Sequence, residues 1–366
     1  MPDLDRKWMG RALELAKKKG RYVSPNPRVG AVLVKSGRMV GEGGHQKFGG
    51  PHAEIIALKK AGARAMGSTL YVTLEPCSHF GKTPPCTDAL IRSGVKKVVA
   101  AMRDPFPLVK GEGFKKLRKA GIQVKYGVLE EEARSLNEPF LFSIKNRRPR
   151  VWLKAAVSLD GKIATVSGKS KWITGDKARR WVHEMRSKAD AILVGSGTAR
   201  MDDPSLTVRS PGYDREDGWP MRVLLDGRLR ISPKAKIFQG KPRTVVFTSM
   251  EAPQAAQRTL EKKGILVFRV PKRGKMLSLK AVLRVLHSLD VRTLMVEGGG
   301  QVHASFLAEG LADKVYLFLS PKIFGGEAPS WVGGKGVENP NLASNLKHVR
   351  MEKVGEDILL TGRMEE

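Results

Sequence analysis

The feature that most constrains this chain is a set of three potential metal ligands in its first quarter. The triplet H-A-E begins at His52, the pair P-C ends at Cys77, and eight residues separate Cys77 from Cys86. These are the only two cysteines in the chain, and neighbouring cysteines in a chain without secretory features favour a metal or catalytic role over a disulfide. Two thiolates and one imidazole suit Zn²⁺, and three protein ligands leave a fourth position open for water. The pattern therefore predicts zinc bound by His52, Cys77 and Cys86.

Glu54 supplies the second part of the predicted chemistry. A carboxylate beside the metal can carry protons from the attacking water to a ring nitrogen and a leaving amine. H-x-E followed by P-C is the general signature of zinc-dependent nucleobase deaminases. The usual spacing is P-C-x-x-C, whereas here SHFGKTPP forms a loop between the cysteines that could bring His79, Lys82 and Thr83 to a substrate. The alternative is a surface histidine with two buried cysteines, but the ordered set favours zinc.

Length and pattern divide the chain into two α/β domains. A total of 366 residues suits two domains of moderate size. Strands and helices alternate in the first part, which includes a hairpin turning at Ser36-Gly37 and a helix over residues 130–146. The basic sequence RRPR then predicts a boundary, giving domains 1–146 and 147–366. The second domain again alternates strand and helix.

The net charge of +30 indicates an anionic partner, either nucleic acid or a small phosphate ester. The excess is spread over the chain, with +17 in residues 1–150 and +13 in the remainder. A solvated basic surface explains this distribution best. No apolar run is long enough to span a membrane, and the first twenty residues resemble neither a signal nor a transit peptide. We expect a cytoplasmic protein that does not act at a membrane.

Two glycine-rich turns in the second half could hold the pyrophosphate of a nicotinamide cofactor. One is the GSGTAR sequence from Gly195, in which Arg200 occupies the third glycine position of the G-x-G-x-x-G pattern. The other is VEGGG, which ends at Gly300 and precedes a predicted helix. Each could equally be a tight turn between a strand and a helix, so composition alone leaves both interpretations open.

The motif TLEPCSHFGKTPPC, with SPNPRVGAVLV before it and VVAAMRDP after it, resembles the deaminase domain of the riboflavin-pathway deaminase-reductases. The resemblance implies a cytidine-deaminase-like three-layer fold, with zinc on the three ligands above and Glu54 as proton shuttle. The implied substrate is 2,5-diamino-6-ribosylamino-4(3H)-pyrimidinone 5′-phosphate, which loses its 2-amino group. The implied substrate contacts are Asn26, His45, His79, Lys82 and Asp104.

One position departs from this family. The family usually reads D-P-N-P after the strand, whereas this chain has Phe106 in place of the asparagine. Phenylalanine cannot supply the hydrogen bond that the asparagine is expected to give to ribose. We therefore expect altered ribose binding in the deaminase.

The second half resembles the reductase domain of the same family, which has a dihydrofolate-reductase-like α/β fold. The motifs KAAVSLDGKIA, SGKSKWITG, VGSGTARMDDPSLTVR, VEGGG and LSPKIFGG occur in the family order. The resemblance implies NADPH as cofactor and reduction of the ribosyl group to a ribityl chain. The implied NADPH contacts are Ala156, Trp172, Thr198, Asp202, Gly299 and Gly300. The implied substrate contacts are Lys154, Ser170, Arg186, Leu206, Arg209 and Glu297.

Two alternatives stand beside this two-step enzyme. The basic charge would also suit a nucleic-acid deaminase of the tRNA-editing type with an accessory domain, although the long loop between the cysteines argues against it. A chain with one inactive half is the other, and Phe106 is its only sequence hint. We favour the two-step enzyme, acting as a homo-oligomer on a small phosphorylated pyrimidine without nucleic acid.

Overall fold

A computed structural model of the chain describes residues 2–18, 23–81, 83–106, 111–209, 213 and 219–365, without the side chains of residues 2 and 3. The chain divides into two units, Met1–Arg147 and Arg148–Glu366. Within the described ranges, no helix combines the length and the apolar character needed to cross a membrane.

The first unit is a five-stranded sheet with helices on both faces. Its elements are α1 Pro2–Lys17, β1 Gly30–Lys35, β2 Arg38–Gly44, α2 Ala53–Ala61, β3 Thr69–Val72, α3 Cys86–Arg92, β4 Lys97–Ala100, α4 Glu112–Lys119, β5 Gln123–Tyr126, α5 Glu130–Leu136 and α6 Glu138–Asn146. The strand order is β2-β1-β3-β4-β5. The pairs on either side of β1 are antiparallel, whereas β3, β4 and β5 run parallel. The predicted hairpin between β1 and β2 is confirmed.

Two apolar clusters, one on each face of this sheet, make the unit three-layered. Helices α2, α3 and α4 contribute Ala57, Leu90 and Phe114 to one cluster. Helices α1 and α5 contribute Met9 and Ala133 to the other. Successive strand residues point to opposite faces, so Val-rich strands buried on both sides supply both clusters. The predicted three-layer arrangement is confirmed.

A glycine sets the distance between β2 and the helix that carries the deaminase residues. A Cβ added at Gly43 would lie 2.5 Å from the carbonyl oxygen of Ala53. Any larger residue would therefore push α2 away from the sheet. Close approach of α2 to β2 places His52 and Glu54 beside the carboxyl-terminal loop of β3.

The single helix expected over residues 130–146 is wrong, because the structure has two helices that part at Asn137. Pro139 has no N–H to donate to the carbonyl four residues before it, so it cannot continue the first helix, whereas it is tolerated in the first turn of α6. The Asn137 side chain also forms two hydrogen bonds with the backbone of Arg28. It accepts from the N–H at 2.7 Å and donates to the carbonyl at 3.0 Å. Local sterics and a long-range contact together end the first helix.

The second unit is built on a nine-stranded sheet. Its elements are β6 Arg150–Val157, α7 Asp176–Lys188, β7 Ala191–Gly195, α8 Ser196–Asp202, β8 Met221–Leu225, β9 Thr244–Ser249, α9 Gln254–Glu261, β10 Leu266–Val270, β11 Lys272–Arg273, β12 Met276–Leu277, α10 Leu279–Ser288, β13 Thr293–Val296, α11 Gly300–Ala308, β14 Lys314–Leu319, β15 Leu346–Val354 and β16 Asp357–Met364. The strand order is β10-β9-β8-β7-β13-β6-β14-β16-β15, and β11 and β12 form a small separate ribbon.

The strands from β10 to β14 in this order run parallel, and β16 and β15 extend the sheet in antiparallel fashion. Helices cover both faces, with α10 and α11 on one cluster and α7 on another. The α/β prediction is therefore confirmed for this unit too. Because β6, β7 and β13 are adjacent and parallel, the loops at their carboxyl ends meet at one edge of the sheet. Ligand sites of parallel α/β sheets form at such an edge.

Candidate functional sites

The three predicted metal ligands of the first unit lie together. Nδ1 of His52 is 3.2 Å from Sγ of Cys86 and 3.6 Å from Sγ of Cys77, and the three ligand atoms lie within 4.8 Å of one another. His52 directly precedes α2, Cys86 opens α3, and Cys77 lies on the loop that follows β3. Helix starts and a strand end thus hold all three ligands.

The spacing and chemistry of this group fit a tetrahedral zinc ion. Ordinary Zn–N and Zn–S bonds at tetrahedral angles would separate the nitrogen from each sulfur by about 3.6 Å, close to the distances above. A hydrogen bond shared by the two sulfurs lowers the pKa of Cys77 to about 4 and raises the pKa of Cys86. One proton is therefore held between the sulfurs, where a cation would replace it.

His52 presents its other ring nitrogen to Thr83. Oγ1 of Thr83 lies 3.4 Å from Nε2 of His52. With Nδ1 directed at the sulfurs, Nε2 carries the proton and donates it to the hydroxyl. Ligating histidines ordinarily have such an outer partner, which fixes their tautomer and ring orientation. The intercysteine loop therefore supports the metal ligands as well as bordering the site.

Glu54 is buried in the first turn of α2, with 3% of its surface exposed. Burial raises the pKa of its carboxyl, and the negative charge of Cys77 acts in the same direction. A carboxyl with a raised pKa can take up and release a proton near neutral pH. Glu54 therefore has the environment expected of the proton shuttle.

Asn26 and His45 form a hydrogen-bonded pair beside His52. Nδ2 of Asn26 lies 3.1 Å from Nε2 of His45, and Nδ1 of His45 lies 3.0 Å from the carbonyl oxygen of Pro51. A neutral ring donates through Nδ1 to Pro51 and accepts at Nε2 from the amide of Asn26. Burial lowers the pKa of His45, which favours this neutral form. His45 thus uses both nitrogens within the protein and orients Asn26.

Asp104 reaches the same site from the loop after β4. Its backbone N–H donates to the buried carboxylate of Glu75 at 3.2 Å, and its own carboxylate accepts from the N–H of Phe106 at 2.8 Å. Burial raises the pKa of Asp104 to about 6. Glu75 also accepts from Gly111 and Phe114, so it ties this loop to the start of α4.

The intercysteine loop places His79 near Phe106, with ring centroids 6.3 Å apart. Among the atoms that the structure describes, Nδ1 of His79 is buried and has no hydrogen-bond partner. A buried donor or acceptor in this state favours a ligand group that would satisfy it. Lys82, the other substrate contact expected on this loop, lies outside the described residues.

In the second unit, a cavity of about 200 Å³ lies at the carboxyl edge of the parallel strands. It brings together seven of the predicted residues with several that were not predicted. The predicted residues that line it are Lys154, Ala156, Ser170, Trp172, Arg186, Arg209 and Glu297.

A buried ion group forms the floor of this cavity. Nε and one terminal nitrogen of Arg186 donate to the two oxygens of Glu297 at 2.6 and 2.9 Å, and Nζ of Lys154 lies 3.9 Å from the same carboxylate. Burial alone would raise the pKa of Glu297, but the charges of Arg186 and Lys154 lower it to about 2. Burial lowers the pKa of Lys154, although Glu297 opposes that shift. The site holds a permanent carboxylate beside an ammonium that loses its proton more readily than usual.

The remaining predicted residues sit around this edge. The hydroxyl of Ser170 donates to Asp202 at 2.6 Å. Both glycine-rich turns lie here, because they follow the adjacent strands β7 and β13; a Cβ at Gly299 would be 3.3 Å from Oγ1 of Thr198. Gly300 opens α11, and a Cβ there would lie 2.4 Å from the carbonyl of Ser330. Leu206 is buried with a positive φ of 47°.

Sequence reasoning missed the residues that hold the predicted ones in place. The Arg179 guanidinium lies 4.3 Å from the centre of the Trp172 ring, and His183 contacts Arg209. Glu75 does the same for Asp104. Thr83, which the sequence predicted only as a residue that could face a substrate, does the same for His52. Glu75 and Thr83 stand inside the motif TLEPCSHFGKTPPC, which offered a signal; Arg179 and His183 lie on a helix face that gives none.

Comparison with known proteins covers both units. The family profile described as the cytidine and deoxycytidylate deaminase zinc-binding region matches residues 2–102, and the RibD C-terminal domain profile matches residues 149–360. The riboflavin biosynthesis protein RibD of Aquifex aeolicus is 46% identical over 359 residues, which are 98% of each protein.

Solved structures agree over the full length. Acinetobacter baumannii RibD superimposes with a TM-score of 0.91 at 38% identity, covering 100% of this chain and 99% of that one. A diaminohydroxyphosphoribosylaminopyrimidine deaminase/5-amino-6-(5-phosphoribosylamino)uracil reductase from Thermotoga maritima gives a TM-score of 0.85 at 42% identity, with coverage of 100% and 99%. The similarity therefore extends across both sites.

Proposed function

The chain belongs to the RibD family of riboflavin biosynthesis proteins, and on that premise we propose that Met1–Arg147 carries the deamination and Arg148–Glu366 the reduction. The protein is a bifunctional deaminase and reductase that uses zinc and NADPH. It removes the 2-amino group of 2,5-diamino-6-ribosylamino-4(3H)-pyrimidinone 5′-phosphate. It then reduces the ribosyl group to give 5-amino-6-(5-phosphoribitylamino)uracil.

In the deaminase, His52, Cys77 and Cys86 hold the metal. Zinc, when bound, supplies Lewis acidity that makes a water nucleophilic near neutral pH. Glu54 takes a proton from the attacking water and delivers it to the ring nitrogen. It then takes the remaining proton of the newly added hydroxyl group and delivers it to the amine, which leaves as ammonia while the carbonyl forms. A raised pKa suits Glu54 to both transfers.

The substrate is held by residues that converge on the same site. His45 orients the Asn26 amide, and Glu75 anchors the loop of Asp104. Nδ1 of His79, which has no partner among the described residues, is available to the substrate. We assign Lys82 to the phosphate from its charge and its place in the loop. Phe106 offers a ring face where an amide is usual, so ribose is held there by packing alone.

In the reductase, NADPH supplies the hydride that is added to C1 of the opened sugar. Lys154 donates a proton to the ring oxygen of the sugar as the ring opens, and this proton and the hydride at C1 together complete the reduction. The lowered pKa of Lys154 favours the proton transfer. Glu297 holds Lys154 in place and accepts from ribose hydroxyls. The cofactor is assigned to Ala156, Trp172, Thr198, Asp202 and the turn at Gly299 and Gly300, and the substrate additionally to Ser170 and Leu206.

Arg186 uses its guanidinium for contacts within the protein rather than as a free phosphate ligand. Its Nε and one terminal nitrogen bind Glu297, and its other terminal nitrogen donates to the carbonyl of Thr207 at 3.0 Å. These contacts fix the carboxylate and the segment that leads to Arg209. We therefore assign the 5′-phosphate in this unit to Arg209, whose side chain is exposed.

Buried Glu54 lies beside the His/Cys/Cys group in the first unit, and the second unit has the charged cavity. This combination is the main support for a two-step enzyme. The test uses purified, zinc-loaded protein and follows NADPH oxidation and product mass. With the diamino substrate, Glu54→Gln should lower coupled oxidation by about 100- to 10,000-fold. Oxidation should return when deaminated substrate is supplied, and zinc content should stay unchanged.

Failure of the wild-type chain to oxidise NADPH with either substrate would refute the reductase assignment. Deamination that survives Glu54→Gln would refute the shuttle. A nucleic-acid deaminase is not favoured, because the relatives match both units over their full length. We also propose a cytoplasmic homo-oligomer without nucleic acid, which sedimentation and salt-dependent RNA binding would test.

A further inference from the structure

His183 lies on α7 and reaches the edge of the reductase cavity, where it contacts the segment that carries Arg209. Nδ1 is 3.2 Å from the backbone nitrogen of Arg209, and Nε2 is 3.3 Å from Nε of its side chain. We infer that His183 is a positioning residue that sets the direction of the Arg209 guanidinium for the substrate phosphate. The inference rests on the proposed function, in which Arg209 binds that phosphate.

The protonation of His183 fits this role. A histidine must be neutral to accept a hydrogen bond. Burial, together with the charges of Arg186 and Arg209, lowers the pKa of His183 to about 4. The ring is therefore neutral at pH 7 and has one nitrogen that donates and one that accepts.

Only one of the two contacts with Arg209 can be a hydrogen bond in a given tautomer, because a neutral imidazole has a single acceptor nitrogen. The backbone carbonyl of Thr207 also bonds the ring and favours an N–H directed at it. With the proton on Nδ1, Nε2 accepts from Nε of Arg209. With the proton on Nε2, Nδ1 accepts from the backbone N–H of Arg209. The first tautomer is the one in which His183 fixes the direction of the arginine side chain.

Arg186 strengthens this arrangement from the same helix. Its terminal nitrogen also donates to the carbonyl of Thr207. Two side chains of α7, those of His183 and Arg186, therefore bond the segment that leads to Arg209. Among the described residues, no carboxylate pairs with the Arg209 guanidinium. With Nε held by His183, the terminal nitrogens of Arg209 can form a bidentate contact with a phosphate.

The experiment measures reductase kinetics with two substrates, the deaminated ribosyl phosphate and the same compound without its 5′-phosphate. His183→Ala should raise the KM for the phosphorylated substrate about fivefold, which corresponds to roughly 1 kcal/mol, with kcat within about twofold of wild type. The KM for the substrate without phosphate should change by less than about twofold, because Arg209 has no phosphate to bind. Arg209→Ala should produce the same split more strongly.

Conservative variants separate positioning from packing. The side-chain oxygen of His183→Gln can reach the place of Nε2, so this variant should recover most of the lost affinity. His183→Asn reaches only the place of Nδ1 and should behave like alanine. Glu184→Gln is the matched control, because Glu184 is exposed on the same helix and pairs with Lys188. The affinity for NADPH, measured by fluorescence titration, should be unchanged in all of them and reports that the unit is folded.

An unchanged KM in His183→Ala would overturn the inference, and so would an equal loss for both substrates. A wild-type chain that cannot reduce the phosphorylated substrate would instead refute the proposed function, and the inference with it. The positioning role alone would be refuted if the wild type is active and Arg209→Ala weakens substrate affinity while His183→Ala does not.

Discussion

The two ring nitrogens of His52 have different partners, and this division matters for the metal. Nδ1 faces Cys77 and Cys86, whereas Nε2 faces the hydroxyl of Thr83. The motif predicts that His52 is a ligand but not which ring nitrogen faces the metal, because tautomer and ring orientation depend on a residue of the intercysteine loop. The same dependence holds for Asn26, which His45 orients.

Thr83→Val should therefore weaken zinc binding while keeping the volume of the side chain. Loss of a partner of this kind typically lowers metal affinity by about 10- to 100-fold. The measurement is competition with a chromophoric chelator at fixed pH. Ser78→Ala, on the same loop, serves as the control. Equal zinc affinity in Thr83→Val and wild type would contradict the assigned role of the hydroxyl.

Glu297 is ionised at neutral pH, because the charges of Arg186 and Lys154 hold its pKa at about 2 in the folded chain. The folded pKa is lower than the unfolded one of about 4.3, so the carboxylate stabilises the fold above that value. Its contribution should decrease as the pH falls from there towards 2. Glu297→Gln leaves Arg186 buried without its charge partner and should cost roughly 3 kcal/mol.

Urea unfolding of wild type and Glu297→Gln across pH 8 to 3 checks this prediction. The difference in the free energy of unfolding should be constant from pH 8 to about 5 and should narrow below about 4.3. Glu184→Gln, which removes an exposed carboxylate, should show almost no difference at any pH. A gap that widens on acidification would contradict the assignment of the low pKa.

Helix α2 is the element that joins the fold to the deaminase chemistry. It places His52 at its start and Glu54 in its first turn, and it packs on β2 at Gly43. In the second unit, α7 has the corresponding role, since Arg186 and His183 both project from it into the cavity. Helix positions in both units thus decide the spacing of reactive groups.

Gly43→Ala should impair the deaminase and spare the reductase. Its Cβ would meet the Ala53 carbonyl at 2.5 Å, and relief of that contact must move the start of α2. We expect at least about a tenfold loss of deamination, since small misplacement of catalytic groups can cost about 100-fold. Gly10→Ala is the matched control, because no described atom beyond its own helix lies within 4 Å of a Cβ there. Wild-type deamination by Gly43→Ala would show that α2 adjusts without cost.

Each unit of the whole molecule has its own sheet and its own apolar clusters. This is the property that allows a domain to fold alone. The two catalytic groups also use different elements throughout. The activities should therefore be separable at the junction between Arg147 and Arg148.

Expression of residues 1–147 and 148–366 as separate proteins tests this expectation. The first should bind zinc and deaminate the diamino substrate, and the second should oxidise NADPH with deaminated substrate only. In the intact chain, removal of zinc by a chelator should abolish deamination and leave reduction of deaminated substrate unchanged. Loss of reduction on chelation would show that the second unit depends on the metal.

The sequence by itself predicted the ligand set and the proton shuttle, and it determined the alternation of strand and helix, because each is a local pattern of residue types. It also carried the family resemblance across both halves. The tertiary structure decided the rest. It ends a helix at Asn137, places both glycine-rich turns at one edge of the sheet, and pairs Arg186 with Glu297. These depend on contacts between residues far apart in the chain, such as Asn137 with Arg28, which no local pattern encodes. The same holds for Glu75, Arg179 and His183, whose roles exist only once the fold brings their partners within reach.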